Sequence, residues 1–475
     1  MKNIKNGLSL IIVLIVACTT AKINQSPTAD KSTKKPNIIY VLADDLGYGD
    51  LSCFGQQKFK TPNIDRMAAE GLTFTQSYSG CTVCAPSRCA LMSGKTTGHC
   101  EVRGNGQPGF SANTVIMPEL MQKIGYRTGM FGKWGLGNPK QEGSPEKKGW
   151  NEFLGYTDHE HAHHYFVDYL IKVTDGKPAE QMKIDKKQNT HPVIFNAALD
   201  FVRQNKDNPF FLYLPVTIPH AEIVAPTEAS LKPFVDATGK SIFPEVPYVN
   251  KNPNGGYMSQ PQPSANFAAM VTQLDTDMGR LMALLKELNL DENTLVIFTS
   301  DNGPHKEGKD PAYFQSSGVL RGIKRDLYEG GIRVPFIAWS PTMVKGKGVK
   351  IDEPTANWDI LPTFAEIMGF ETPKDIDGIS FNNLLRGQPL VKKHDYFYWE
   401  FYERGFEQAV RKGNWKAVKC KENGFKTELF DLGKDVSEQQ NLAKVYPEIV
   451  ATMEKIMGEA HTYNVMEDKE KKAKN

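Results

Sequence analysis

Two stretches of this chain share one plan, a continuous apolar run of strand length that ends abruptly in a pair of oxygen-bearing side chains. Residues 37–43 (NIIYVLA) run into Asp44 and Asp45, and residues 295–300 (LVIFTS) run into Asp301 and Asn302. A run without polar alternation fits a strand covered on both faces. Similar runs stand at 209–216 (PFFLYLPV) and 335–340 (PFIAWS), with amphipathic helical patterns between them at 117–124, 193–204, 267–288 and 358–368. Such strands alternating with helices imply an α/β fold, a large and mostly parallel sheet sandwiched by helices. In sheets of this kind, sites gather at the C-terminal ends of the strands.

With 475 residues, 40% of them hydrophobic, the chain has material for one large domain and a smaller companion. Its first residues carry Lys2 and Lys5, an apolar run over 8–17, and Cys18. That run is too short for a comfortable span and reads as an export signal. The small residues before Cys18 resemble a bacterial lipobox, in which the cysteine is acylated. The expectation is an exported protein, periplasmic or anchored to a membrane by its lipid alone, with a plain secreted signal as the alternative. Residues 1–18 are then signal, 19–35 a polar tether, 36–390 the main domain and 391–475 a small α+β unit. The last assignment rests on short alternating segments at 396–401, 409–412, 415–419 and 427–431, followed by a helical pattern at 447–460. Residues 137–166 and 221–265, rich in Gly, Pro, Asn and His, read as long loops of the kind that carry function. A net charge of +2 offers no broad basic face for nucleic acid.

Carboxylates just behind buried strands are poor core material unless something pairs with them. Asp44, Asp45, Asp301 and Asn302, brought together, would make a site for a hard cation such as calcium or magnesium rather than zinc. The alternative is that each pair caps a following turn or helix. Besides Cys18 the chain has Cys53, Cys81, Cys84, Cys89, Cys100 and Cys420. Their density in an exported protein ordinarily signals disulfides. None has zinc-finger spacing with histidines. Cys81 and Cys84 form a CxxC without the context of a redox pair.

The stretch 81–94 (CTVCAPSRCALMSG) narrows the field. Its core, Cys84-Ala85-Pro86-Ser87-Arg88, resembles the C-x-P-S-R signature of the type I, formylglycine-dependent sulfatases (arylsulfatases), members of the alkaline phosphatase-like superfamily. PNIIYVLADDLGYGD, TPNIDRMA, GKTTGH, GYRTGMFGKW, Pro219-His220, TSDNG, YEGGIRVP and ELFDLGKD are similar to that family's segments, in the family's order, over about residues 36–450. The resemblance makes 36–390 a sulfatase catalytic domain. It implies that a maturation enzyme oxidises Cys84 to formylglycine before export. It further implies that Asp44, Asp45, Asp301, Asn302 and the modified Cys84 hold one Ca2+. Arg88 would hold the formylglycine hydroxyls, Lys133 and Lys324 would bind sulfate oxygens, and His220 would contact or protonate the leaving oxygen. The implied substrate is a sulfate ester, with a sulfated sugar or polysaccharide fragment the expected source.

The chemistry is coherent in its own terms. Pro86 suits the first turn of a helix, which would put Cys84 at a helix N-terminus where free N–H groups favour an anion. A sulfate monoester repels nucleophiles, so a divalent cation and fixed lysines must absorb its charge. A hydrated aldehyde has one hydroxyl to attack sulfur and a second that remains to expel sulfate, which an unmodified cysteine or serine lacks. One departure stands out: where many relatives read GKWHLG, this chain has Gly135, so a histidine is missing. The segment His159-Glu160-His161-Ala162-His163-His164 lies nearby. His161 or His163 is the expected replacement, contacting the nucleophile or the sugar, against the alternatives of a polar surface loop or a transition-metal site. Two competing functions remain: a phosphatase or phosphonate hydrolase of the same superfamily, and a non-catalytic carbohydrate-binding homologue.

Overall fold

The computed structural model describes residues 34–465 except 176 and 253–254. The expected export signal, Cys18 and nearly all of the tether therefore lie outside the described residues. Eleven strands form the main sheet: β1 (Asn37–Ala43), β2 (Leu72–Tyr78), β3 (Arg127–Lys133), β4 (Glu152–Tyr156), β5 (Tyr169–Val173), β6 (Glu180–Lys183), β7 (Phe210–Val216), β8 (Thr294–Ser300), β9 (Arg333–Trp339), β10 (Val349–Ile351) and β11 (Thr355–Ala356). Their spatial order is β10-β2-β9-β8-β1-β7-β3-β4-β5-β6, with β11 beside β2. The run β8-β1-β7-β3-β4 is parallel throughout. Antiparallel pairing is confined to β9 against both of its neighbours and to β5 and β6.

β1 shows why its sequence has no polar alternation. Ile39, Val41 and Ala43 face one core, built with the helices Thr190–Gln204 and Pro263–Glu287. Ile38, Tyr40 and Leu42 face a second core, built with the helices Cys84–Ser93 and Ile360–Met368. With helices on both sides, every position of the strand leaves water, and each of its Ile, Val and Leu side chains contributes about 1.5–3 kcal/mol of burial.

A second sheet of four antiparallel strands follows, β12 (Phe397–Phe401), β13 (Glu407–Lys412), β14 (Trp415–Lys419) and β15 (Glu428–Asp431). Here the alternation is real. Tyr398, Val410, Ala417 and Leu429 pack on Met453 and Ile456 of the helix Pro447–Glu459, while Phe397, Trp399, Val418 and Phe430 pack on Tyr78, Val83 and Trp358 of the main body. From Lys35 on, the described chain forms one compact unit.

Polar pairs are buried in this seam. Lys416, fully buried, lies 2.9 Å from both Glu329 and Glu438. Lys416→Met would leave Glu438 without its cation and Glu329 with Arg333 alone, and we expect a loss of about 3–5 kcal/mol in urea denaturation.

Three expectations are corrected. The 137–166 segment is not all loop, because it contains β4, whose five residues fall between turns. Disulfides do not form: all six described cysteines are free. Cys81 and Cys100 instead give their thiols to the backbone carbonyls of Glu400 and Val102. The third correction concerns a histidine of the site, described below.

Candidate active site

β8, β1, β7 and β3 run side by side in one direction, so their C-terminal ends open on a single edge. That geometry gathers residues far apart in sequence. Asp44 and Asp45 follow β1, Asp301 and Asn302 follow β8, His220 follows β7, and Lys133 ends β3, all of them buried. Asp45 has φ 63, a left-handed conformation that aspartate tolerates better than most residues. It lets successive carboxylates face one space: ligand atoms of Asp44, Asp45, Cys84 and His220 lie within 4.8 Å of one another. Lys133 reaches the same space because Gly132, at φ 136, passes the backbone so closely that a Cβ would stand 2.0 Å from the Pro215 carbonyl.

Cys84 is the first residue of the helix Cys84–Ser93, and Val83 before it is extended. Its helical N-terminus is anchored on both sides. The Ala85 N–H donates to Asn105 Oδ1 (3.1 Å), and the Ser87 hydroxyl donates to the Asp301 carbonyl (2.5 Å). One turn on, Arg88 is wholly buried and donates to Asp301 Oδ2 (2.8 Å) and to the Lys133 carbonyl (2.7 Å). Cys84 Sγ stands 3.3 Å from Asp44 Oδ1 and 3.5 Å from Lys324 Nζ. Lys324 also donates to Asp45 Oδ2 (2.8 Å), and Lys133 donates to Asp44 Oδ2 (2.8 Å).

Three carboxylates thus face three permanent cations, Arg88, Lys133 and Lys324, in a deeply buried space. Burial alone would raise the Asp44 carboxyl, but Lys133, His220, Arg88 and Lys324 hold it well below the usual range. Lys324 and His220 likewise hold Asp45 at about 2 against its burial. Burial and then Asp44 raise Asp301 to about 7, with Arg88 opposing. Burial and the Asp44 charge push the Cys84 thiol up, so that as an unmodified cysteine it stays protonated and a weak nucleophile. The His220 Nδ1 donates to the Ala221 carbonyl, and its Nε2 lies 3.1 Å from Lys324 Nζ; burial lowers its pKa to about 3, which keeps it neutral.

The donor set fits a hard cation. Asp44, Asp45 and Asp301 are all buried carboxylates, and the buried Asn302 Oδ1 has no hydrogen-bond partner. An all-oxygen set of this kind suits calcium or magnesium. His220 is committed to Ala221 and Lys324, which leaves the oxygens as the ligands of choice.

Above this floor lies a cleft of about 210 Å³. Cys84, Lys133, His220 and Lys324 form its base, His159, His163 and Tyr257 one wall, and Asn105, Arg325 and Glu403 the rim. His163 stacks flat on His220, with ring centroids 4.8 Å apart at 9°. His161 does not line the cleft. Its ring is taken up by Tyr156 (5.1 Å) and Tyr169 (4.5 Å), because aromatic packing under the short turn His161–His163 turns it the other way. We expect His163→Ala to lower kcat/KM about tenfold, whereas His161→Ala should lower the melting temperature and leave kcat/KM within about twofold. Steady-state kinetics and thermal denaturation of both variants check this. Tyr257, Asn105, Arg325 and Glu403 escaped the sequence reading, and only Arg325, next to Lys324, carried a hint.

A buried array of carboxylates, lysines and an arginine around a helix-tip cysteine, on the strand ends of an α/β sheet, defines a hydrolase for esters of tetrahedral anions. The chain belongs to the sulfatase family of the alkaline phosphatase-like superfamily and is a sulfuric ester hydrolase: the family described as Sulfatase matches residues 36–370. The region described as N-sulphoglucosamine sulphohydrolase, C-terminal, matches residues 323–462. The chain is 27% identical to the N-acetylgalactosamine-6-O-sulfatase of Bacteroides thetaiotaomicron, across 97% of this chain and 100% of that one. It is 31% identical to human arylsulfatase A, across 89% and 87%. Among solved structures it is similar to Ps i-CgsB (TM-score 0.75, 27% identity, 90% of this chain and 92% of that one), which has also been solved in complex with k-i-k-neocarrahexaose.

Proposed function

We propose that this enzyme removes sulfate from a sulfated sugar or polysaccharide fragment, with Cys84 oxidised to formylglycine as its nucleophile and one Ca2+ bound beside it. The observation that carries the reading is the position of Cys84, at a helix N-terminus with Sγ 3.3 Å from Asp44 and 3.5 Å from Lys324. The named activities of the relatives, a sugar sulfatase among them, support the sugar as substrate.

Asp44, Asp45, Asp301 and Asn302 would hold the cation, whose charge would offset that of the sulfate oxygens. The hydrated aldehyde would supply one hydroxyl to attack sulfur in line and a second whose deprotonation lets inorganic sulfate leave. Lys133 and Lys324 now rest on Asp44 and Asp45. Were those carboxylates engaged by a cation, both ammonium groups would be free to bind the sulfate oxygens. Arg88, fixed by Asp301 and the Lys133 carbonyl one turn along the same helix, would hold the hydroxyls of the modified residue 84. His220 holds its Nε2 against Lys324, and this pair can pass a proton to the leaving alcohol oxygen.

The test joins mass spectrometry of the peptide containing residue 84 with sulfate release from sulfated monosaccharides, with and without Ca2+. An aldehyde at residue 84 and Ca2+-dependent release of sulfate, but not of phosphate from the matching phosphate ester, are the expected results. An unmodified thiol in fully active protein would overturn the reading. We propose in addition that Cys18 is acylated in an exported lipoprotein, which incorporation of labelled palmitate, lost in Cys18→Ala, would reveal.

A further inference from the structure

The floor of the cleft balances three carboxylates with three cations, whereas beside its rim two carboxylates share one guanidinium. We infer that Glu403, Glu307 and Arg325 form a filter that admits a sugar carrying one sulfate and excludes a second anionic group beside it. The inference rests on the sulfated-sugar reading and narrows it to singly charged residues.

Arg325 looks at first like a second anion site next to Lys324. It is already occupied: Nε donates to Glu403 Oε2 (3.1 Å) and Nη1 to Glu307 Oε1 (2.8 Å). One guanidinium against two carboxylates leaves the rim net negative. His305 lies 3.5 Å from Glu307 and Asn105 donates to Glu403 Oε1 (2.8 Å), but neither adds a permanent charge. All three ionic side chains keep about a quarter to a third of their surface exposed, with Arg325 at 34%, Glu403 at 26% and Glu307 at 27%. Arg325 and Glu403 line the cleft, so a substrate there meets them directly, while Glu307, outside the lining, acts on it through its bond to Arg325.

The arrangement is held in place deliberately by the backbone. Arg325 has φ 76, a conformation rare for a long side chain and stable only where its surroundings enforce it. Its N–H donates to the Thr82 carbonyl, and its own carbonyl accepts from Arg404, the residue after Glu403. Successive side chains, Lys324 and Arg325, consequently line the same cleft, and the turn after β12 brings Glu403 to meet them. A cleft of about 210 Å³ is small beside ordinary ligand sites of roughly 300–1,000 Å³, so a sugar ring bound there has its neighbouring substituents at the rim. Hydroxyls can hydrogen-bond to Glu403, Arg325 and Asn105, whereas a second sulfate or a carboxylate is repelled.

The experiment uses the mature full-length enzyme, with formylglycine verified, and compares kcat/KM on singly sulfated hexoses and N-acetylhexosamines with kcat/KM on their disulfated counterparts. Wild type should favour the singly sulfated sugars. Glu403→Gln keeps the shape and an acceptor for Asn105 but removes one negative charge, and it should move the ratio toward the disulfated sugars by about tenfold, mainly through KM. In Glu403→Gln with Arg325→Gln that shift should vanish, since no guanidinium is unmasked. A merely structural role would lower both substrates in parallel and leave the ratio fixed. An unmoved ratio in an active Glu403→Gln variant would overturn the filter while leaving the sulfatase reading intact. Absence of sulfate release from every sugar by the wild type would overturn both.

Discussion

Replacing Cys84 by serine should stop steady-state sulfate release, with a loss of at least about 10⁴-fold, comparable to removal of a covalent nucleophile in other hydrolases. Folding should survive. The Sγ contacts at 3.3 Å to Asp44 and 3.5 Å to Lys324 can be kept by a hydroxyl, and the residue is only 4% exposed, so nothing new is uncovered. Serine can accept a sulfuryl group from the ester but has no second oxygen with which to expel it. A single burst of product, with a sulfated protein in the intact mass, is therefore the expected result for Cys84→Ser. Cys84→Ala should give no burst at all. Sustained turnover by the serine variant would rule out the aldehyde.

Asp301→Ala should remove both catalysis and much of the stability. Asp301 accepts from Arg88 at 2.8 Å and from the Asp45 N–H at 3.1 Å, and both partners are fully buried. Its loss leaves the buried guanidinium with only Asp44, 3.5 Å away, and the Lys133 carbonyl, and removing one partner of a buried ion pair costs about 3–5 kcal/mol. Asp301→Asn keeps the shape but only one acceptor oxygen, so it can keep the Arg88 contact or the Asp45 contact and not both, and should lose less stability than alanine. Calcium separates the two effects. Ca2+ at about a hundred times its Kd should stabilise the wild type by about 2.7 kcal/mol in urea denaturation. Neither Asp301 variant should recover that gain, because both lack one anionic ligand. A full Ca2+ response in Asp301→Ala would remove Asp301 from the ligand set.

The centre of this fold is legible because burial on both faces leaves its mark in single segments. NIIYVLA and LVIFTS lack alternation for that reason, and the residues after them become conspicuous. β3 was harder: RTGMFGK is broken by two glycines, one of which exists only to let Lys133 pass Pro215. β6 is mostly exposed and polar, so its pairing with β5 comes from the neighbouring strand rather than from its own pattern. The four-stranded sheet was visible because it has two different faces. Which histidine of 159–164 reaches the cleft is not encoded locally, since a turn over His161–His163 sends rings two residues apart in different directions. Glu403 and Tyr257 arrive through long-range packing and carry no motif. Cysteine density suggested disulfides, but the six described cysteines are free thiols, five of them buried and Cys53 part-buried, with Cys89 and Cys100 side by side, and no bridge is needed to hold a core of this size.

The depth of residue 84 also fixes an order of events in the life of the molecule. Its side chain is 4% exposed, at the base of a narrow cleft and in contact with Asp44 after β1 and with Lys324, which leaves a second protein little room to close catalytic groups around it. If residue 84 is oxidised as proposed, the maturation enzyme would have to catch the segment while it is still an open peptide. A chain that folded first would then stay an inert thiol form, and the active fraction of a preparation would record a race between modification and folding, decided before the substrate is ever met.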